Sequence, residues 1–206
     1  DDHCTIHMFD GSVYRCRITL KELKKQLDEG FMEVKRGCMI AVSAISDIGD
    51  KILLSNGEEI CYTKRKKKAL REELQKKQEL MIAKISKKKL PLTPEEYGKY
   101  YKICDSLPFA FTDIEMVFNE EKKAVDWIFR YGNEALATLE KLPLDKMIGN
   151  SFSSLFSNMD AKWLHVYERA TLYGETLEIM DYSPEIDTNL KIICFPTFPG
   201  HCGCIL

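Results

Sequence analysis

Several familiar signals are missing from this 206-residue chain. No apolar run approaches the ~20 residues a membrane helix needs. The opening Asp1-Asp2-His3 has neither the basic nor the apolar region of a signal peptide. A cytoplasmic location without membrane contact is therefore expected. Histidine is scarce, with four residues in unrelated contexts. No nucleophile-base-orienter set, phosphate-cradling glycine loop or metal-ligand spacing appears, so no catalysis is expected of this chain. A disulfide framework is missing too. The eight cysteines, at 4, 16, 38, 61, 104, 194, 202 and 204, lie mostly in alternating apolar runs that suit small, reduced, buried thiols. The chain lacks an initial Met and stops at Ile205-Leu206 inside a strand-like run, which predicts a piece of a longer polypeptide.

What is present is a charge division. Residues 1–102 carry 22 Lys or Arg against 16 Asp or Glu, and residues 103–206 carry 8 against 16. A balance of +6 followed by −8 lies behind the net charge of −2 and predicts two domains with different partners. The length accommodates two modest cores.

In the basic half, residues 4–9 and 13–18 read as strands joined at Asp10-Gly11-Ser12, where the Asp-Gly pair readily supplies the positive φ of a hairpin turn. Thr19 and Glu22 form a capping box for a short helix with Leu20, Leu23 and Leu27 on one face, ending before Gly30. Residues 38–48 read as one buried strand leading into Ile45 and Ile48. Lys51–Ser55, Asn56-Gly57 and 58–63 make a second hairpin, and the cationic run Thr63-Lys64-Arg65-Lys66-Lys67-Lys68 follows. Taken alone, that run is usually a solvated helix start; beside a second basic loop it also suits an anionic polymer.

This order resembles the LytTR family of bacterial DNA-binding domains, over residues 1–75. The matching positions are Phe31, Lys35-Arg36-Gly37, Ile40-Ala41, Ile45, Asn56-Gly57 and Thr63-Lys64-Arg65. The resemblance implies a mostly-β fold that reads double-stranded DNA with loops, with His3, Lys35, Arg36, Lys64 and Arg65 as contacts and the family's initial strands upstream of Asp1. Lys35 stands where the family usually has His, Gly37 where it has Ser, and Ala41 where it has Asn. Phosphate attraction is thus expected to be kept better than directed base reading.

From Lys66 to Lys89 the absence of Pro and Gly predicts a helix, ended by Pro91 and Pro94, with Thr93-Pro94-Glu95-Glu96 starting another. Leu70, Leu74, Met81 and Ile85, widened by Gln78 and Ile82, form a seam suited either to a second copy of the chain, giving a homodimer, or to packing within one chain. Beyond it, strands are expected at 113–119 and 124–131, a helix opening at Asn133-Glu134-Ala135, a helical region closed by Gly149, a helix over 160–173, and strands at 176–182, 187–198 and 201–206 around a Pro199-Gly200 turn.

Two strands, several short helices and three strands resemble a PAS domain over residues 105–206. The likeness is carried by Phe111-Thr112-Asp113-Ile114-Glu115-Met116-Val117-Phe118, Val125-Asp126-Trp127-Ile128, Asn133-Glu134-Ala135, Ile148-Gly149 and Gly203-Cys204-Ile205-Leu206. It implies an antiparallel sheet with helices on one side that senses a small molecule or passes on a dimerisation state. Its cofactor is unknown. His165 sits between apolar neighbours on a helix, a setting far more common for a satisfied or exposed histidine than for a haem ligand; no flavin-type reactive Cys loop is found, and His201-Cys202-Gly203-Cys204 with Cys194 lacks a turn to wrap a metal.

The expected class is α+β: a LytTR-like domain (1–75), a helical connector (76–104) and a PAS-like sensor (105–206). The expected function is a DNA-binding transcription regulator. The alternative is a regulatory fragment of a larger signalling enzyme, a cyclic-dinucleotide synthase or histidine kinase, with its catalytic domain after Leu206.

Overall fold

The computed structural model describes all residues except 1, 2, 89–91, 158 and 185. The predicted helix end at Lys89 and Pro91 lies outside the described residues. The chain divides into two compact units, residues 1–79 and 80–206.

The first unit is built from short antiparallel hairpins. β1 (Cys4–His7) pairs with β2 (Val13–Cys16), and α1 (Leu20–Lys24) follows with the Thr19/Glu22 capping box formed. β3 (Phe31–Lys35) pairs with β4 (Cys38–Ala41), and β5 (Ile45–Ile48), β6 (Ile52–Leu54) and β7 (Glu59–Ile60) form a three-stranded sheet. Both turn glycines adopt the positive φ that the sequence demands, +82° at Gly11 and +84° at Gly57. Asp10 and Asn56 each bond a backbone N–H two residues on, which fixes the turns locally. Met32, Val34, Ile40, Val42, Ile45, Ile48, Ile52 and Leu70 supply the buried apolar side chains. The single strand expected over 38–48 is instead broken by a 3-10 turn at Val42–Ala44. Two remote backbone bonds cause the break: Val42 N–H donates to the Gly30 carbonyl at 2.7 Å, and Ser55 N–H to the Ala44 carbonyl at 2.9 Å. The chain thereby leaves one sheet and joins the next. α2 (Lys67–Lys88) follows a basic 3-10 turn at Lys64–Lys66.

In the second unit, α3 (Pro94–Tyr100) starts at its Thr93/Glu96 capping box. β8 (Phe111–Phe118) and β9 (Ala124–Gly132) precede four helices, α4 (Glu134–Glu140), α5 (Leu144–Met147), α6 (Phe152–Leu155) and α7 (Ala161–Tyr173). β10 (Leu177–Ser183), β11 (Thr188–Pro196) and β12 (His201–Ile205) complete an antiparallel sheet ordered β10-β11-β12-β8-β9. Side chains alternate across it. Ile114, Met116, Trp127, Phe129, Ile192, Cys194, Cys202 and Cys204 share a core with α4–α7 residues such as Leu136, Phe152, Trp163 and Tyr167. Helices were expected on one side only, but the opposite face is covered too. Tyr97 of α3 and Tyr101 just beyond it pack with Phe111, Tyr131, Phe195 and Phe198. Two aromatic residues four apart on one helical face close that side of the sheet.

Candidate nucleic-acid interface

Val34 is fully buried and Met32 nearly so, and these two anchor β3 so that its end projects the next residues outward. A register shift between Glu33 and Lys35 brings Lys35 opposite Cys38, leaving Arg36 and Gly37 as a two-residue tip. Gly37 has φ +80° with nothing within 4 Å of an added Cβ, so the backbone conformation, not crowding, requires glycine there. Lys35 and Arg36 are exposed and make no hydrogen bond or ion pair among the described residues. Beneath them, the Glu33 carboxyl is held below its ordinary range by its bond from Lys24, with smaller contributions from the Gly37 N–H and the charge of Lys66. Glu33 therefore links the β3–β4 tip electrostatically to the basic turn before α2.

That turn is fixed from below. Arg71 Nε donates to the Ile48 carbonyl at 2.8 Å, and its guanidinium lies 3.9 Å from Asp47. Lys64 and Lys67 approach Asp50 at 3.8 and 4.0 Å, and Lys68 pairs with Glu72 at 3.9 Å. Lys64 and Asp50 are 78% and 80% exposed, so their pair is worth little in water and readily exchanges for a phosphate. Arg65 is exposed with no partner among the described residues. Of the five residues picked from sequence, Lys35 and Arg36 share one tip and Lys64 and Arg65 share one turn. His3 is exposed beside β1, and no described hydrogen bond or ion pair joins it to either group. The acids that hold the turn, Asp47 and Asp50, escaped sequence reading because a hairpin separates them along the chain from Arg71, Lys64 and Lys67, which they meet.

The second unit holds a buried polar cluster that the sequence did not announce. Asp113 is wholly buried and accepts from Tyr101 Oη at 2.7 Å and Thr197 Oγ1 at 2.6 Å, while His201 Nδ1 lies 2.7 Å from its other oxygen. Arg130 Nε donates to Glu115 at 2.6 Å, and Tyr97 Oη lies 3.4 Å from His201 Nε2. Burial, and then the Asp113 charge, push the Tyr101 phenol far up, so it stays a neutral donor. His201 thus faces α3, whereas Cys202 and Cys204 face the core. On the core side lies a cavity of about 30 Å³ lined by Trp127, Phe129, Trp163, Tyr167 and Cys204 among others, room for a water-sized molecule. His165 does not line it. Among the described residues, no helix is long and apolar enough to cross a membrane.

No curated protein matches the chain significantly. The family model described as LytTr DNA-binding domain matches residues 1–75, the segment that carries the exposed tip and the basic turn. Residues 1–75 are a LytTr DNA-binding domain, and with them the chain carries the DNA-binding part of a transcription regulator.

Proposed function

We propose that the chain is a transcription regulator in which the tip Lys35-Arg36, the turn Lys64-Arg65 and His3 contact duplex DNA, under control of the second unit. The observation that carries the reading is the set of exposed cations without acid partners, Lys35, Arg36 and Arg65, within the matched family segment. Lysine and arginine that neutralise phosphates release counterions, so binding is strongly salt-dependent. Base reading is weaker than phosphate attraction, because Gly37 and Ala41 offer no directed side-chain donor.

The second unit acts as a PAS-like sensor of a small molecule. Supporting this are its single antiparallel sheet in the order β10-β11-β12-β8-β9 and the helices inserted between β9 and β10. The connector, residues 76–104, transmits its state. Leu74, Met81 and Ile85 of α2 pair with a second copy, and the geometry of the paired helices sets the spacing of two DNA modules in a cytoplasmic homodimer.

The test is fluorescence anisotropy of the 206-residue chain on mixed-sequence duplex DNA across a salt series. Affinity that falls with salt, and falls again in Arg36→Ala and in Arg65→Ala, is the expected result. Absence of binding at low salt would overturn it.

A further inference from the structure

We propose that the exposed face of the β1–β2 hairpin is a second contact surface for the phosphate backbone of duplex DNA, carried by Arg15 and Arg17. The inference rests on the DNA-binding reading above and adds two residues outside its loops.

The register of the hairpin makes the surface. Thr5 pairs with Arg15 and His7 with Val13; the last pair is Cys4 with Cys16, after which β2 ends and Arg17 follows at a bend. Alternation then puts Thr5, His7, Val13 and Arg15 on one face, all of them exposed, with His3 and Arg17 exposed just past the strand ends. On the other face Cys4, Ile6 and Cys16 are half-buried and Tyr14 is exposed, so the cations lie on the more open side of the hairpin. The strip is continuous with His3, which the proposed interface already includes.

Electrostatics separates these arginines from six other cations of the unit. Lys24, Lys51, Lys64, Lys67, Lys68 and Arg71 each meet a carboxylate. The side chains of Arg15 and Arg17 make no hydrogen bond or ion pair among the described residues. The acid at the hairpin turn, Asp10, is taken by Ser12, whose hydroxyl and N–H donate to it at 2.6 and 2.8 Å and hold its carboxyl below the ordinary range. Arg15 lies in β2 and Arg17 one residue past its end, so their Cα atoms lie within about 7 Å of each other. One DNA strand presents a charge every ~3.4 Å of helix axis, so two arginines at that spacing each reach a phosphate. The guanidinium fork suits phosphate oxygens better than an ammonium does.

The test uses the whole chain on duplexes of different sequence across a salt series, comparing wild type, Arg15→Ala/Arg17→Ala, Arg15→Lys/Arg17→Lys and Arg36→Ala/Arg65→Ala. Each lost phosphate contact lowers the slope of log Kobs against log[salt] by about 0.9, so the hairpin alanine pair should make it shallower by about 2. Affinity should drop about tenfold, equally on every sequence, and the lysine pair should restore the slope. An unchanged slope in the hairpin alanine pair, with the Arg36/Arg65 pair weakened, overturns this surface and leaves the loop interface standing. The same slope loss in the lysine pair, with a lowered unfolding midpoint, assigns the arginines a structural role and also overturns it. A wild type that binds no duplex overturns both readings.

Discussion

Lys35, Arg36 and Arg65 of the first unit stand in solvent without an acid partner, whereas Asp113 and His201 of the second are sealed within hydrogen-bond distance of each other. Around the basic turn, Asp47 and Asp50 meet Arg71, Lys64 and Lys67 at 3.8 to 4.0 Å in the open. Exposed charge costs the fold almost nothing to keep and almost nothing to lose, so it is available to an outside ligand. Buried charge is costly unless every partner is present, and it fixes how α3 lies on its sheet. One chain therefore separates charges that face a partner from charges that hold its own architecture.

The sharpest way to break this contrast is to remove one member of each set. Asp113→Ala strands Tyr101, Thr197 and His201 beneath α3. It should cost the second unit about 3–5 kcal/mol, read as a fall in its urea midpoint, with DNA affinity of the first unit retained. Arg36→Ala and Arg65→Ala should do the reverse. Each should weaken duplex binding about tenfold, which is about 1.4 kcal/mol, while the unfolding midpoint moves by less than about 0.5 kcal/mol. Should Arg36→Ala destabilise the unit by more than ~1 kcal/mol, the separation fails.

The same contrast explains how much was legible in the sequence. Turns at Asp10-Gly11 and Asn56-Gly57 and the capping boxes at Thr19/Glu22 and Thr93/Glu96 depend on neighbours within three residues, and all four form as read. The succession of strands and helices along the second unit also follows from alternation, periodicity and turn residues. The break at Val42–Ala44 was not legible, because it depends on carbonyl and amide partners at Gly30 and Ser55. Nor was the docking of α3. Tyr97 and Tyr101 look alike whether they face water or a sheet, and their partners Asp113 and His201 lie up to 104 residues away. Exposed cations in a run declare themselves; a buried carboxylate inside an alternating strand reads as a surface residue.

A smaller effect sharpens the first side of the comparison. Gly37→Ala places a Cβ at φ +80°, which costs about 1 kcal/mol in the left-handed region although the space is open. The strain falls on the tip that carries Arg36. Duplex affinity should drop by more than the small loss of stability implies, whereas Gly57→Ala, with φ +84° at the β6–β7 turn, should lose stability by a similar amount with less effect on binding.

The smallest effect probes the second side by pH. Burial lowers the pKa of His165 on α7, with the Arg169 charge adding to it and Glu175 opposing, and its Nε2 is buried without a partner. In the unfolded chain the ring titrates near its ordinary 6.5. Between that value and the lower folded one, the unfolded state binds more protons, so stability rises with pH through the window and is lost as pH falls below about 6.5. The urea midpoint of the second unit should therefore decline from pH 7.5 to 5.5, and His165→Asn should flatten the decline. Glu168, whose carboxyl is pushed up by burial, acts in the opposite direction. It favours the folded state at the acid end and loses that contribution as pH rises through its folded value. A wild-type decline that persists unchanged in His165→Asn would place the acid sensitivity elsewhere, with the cluster beneath α3 the next group to vary.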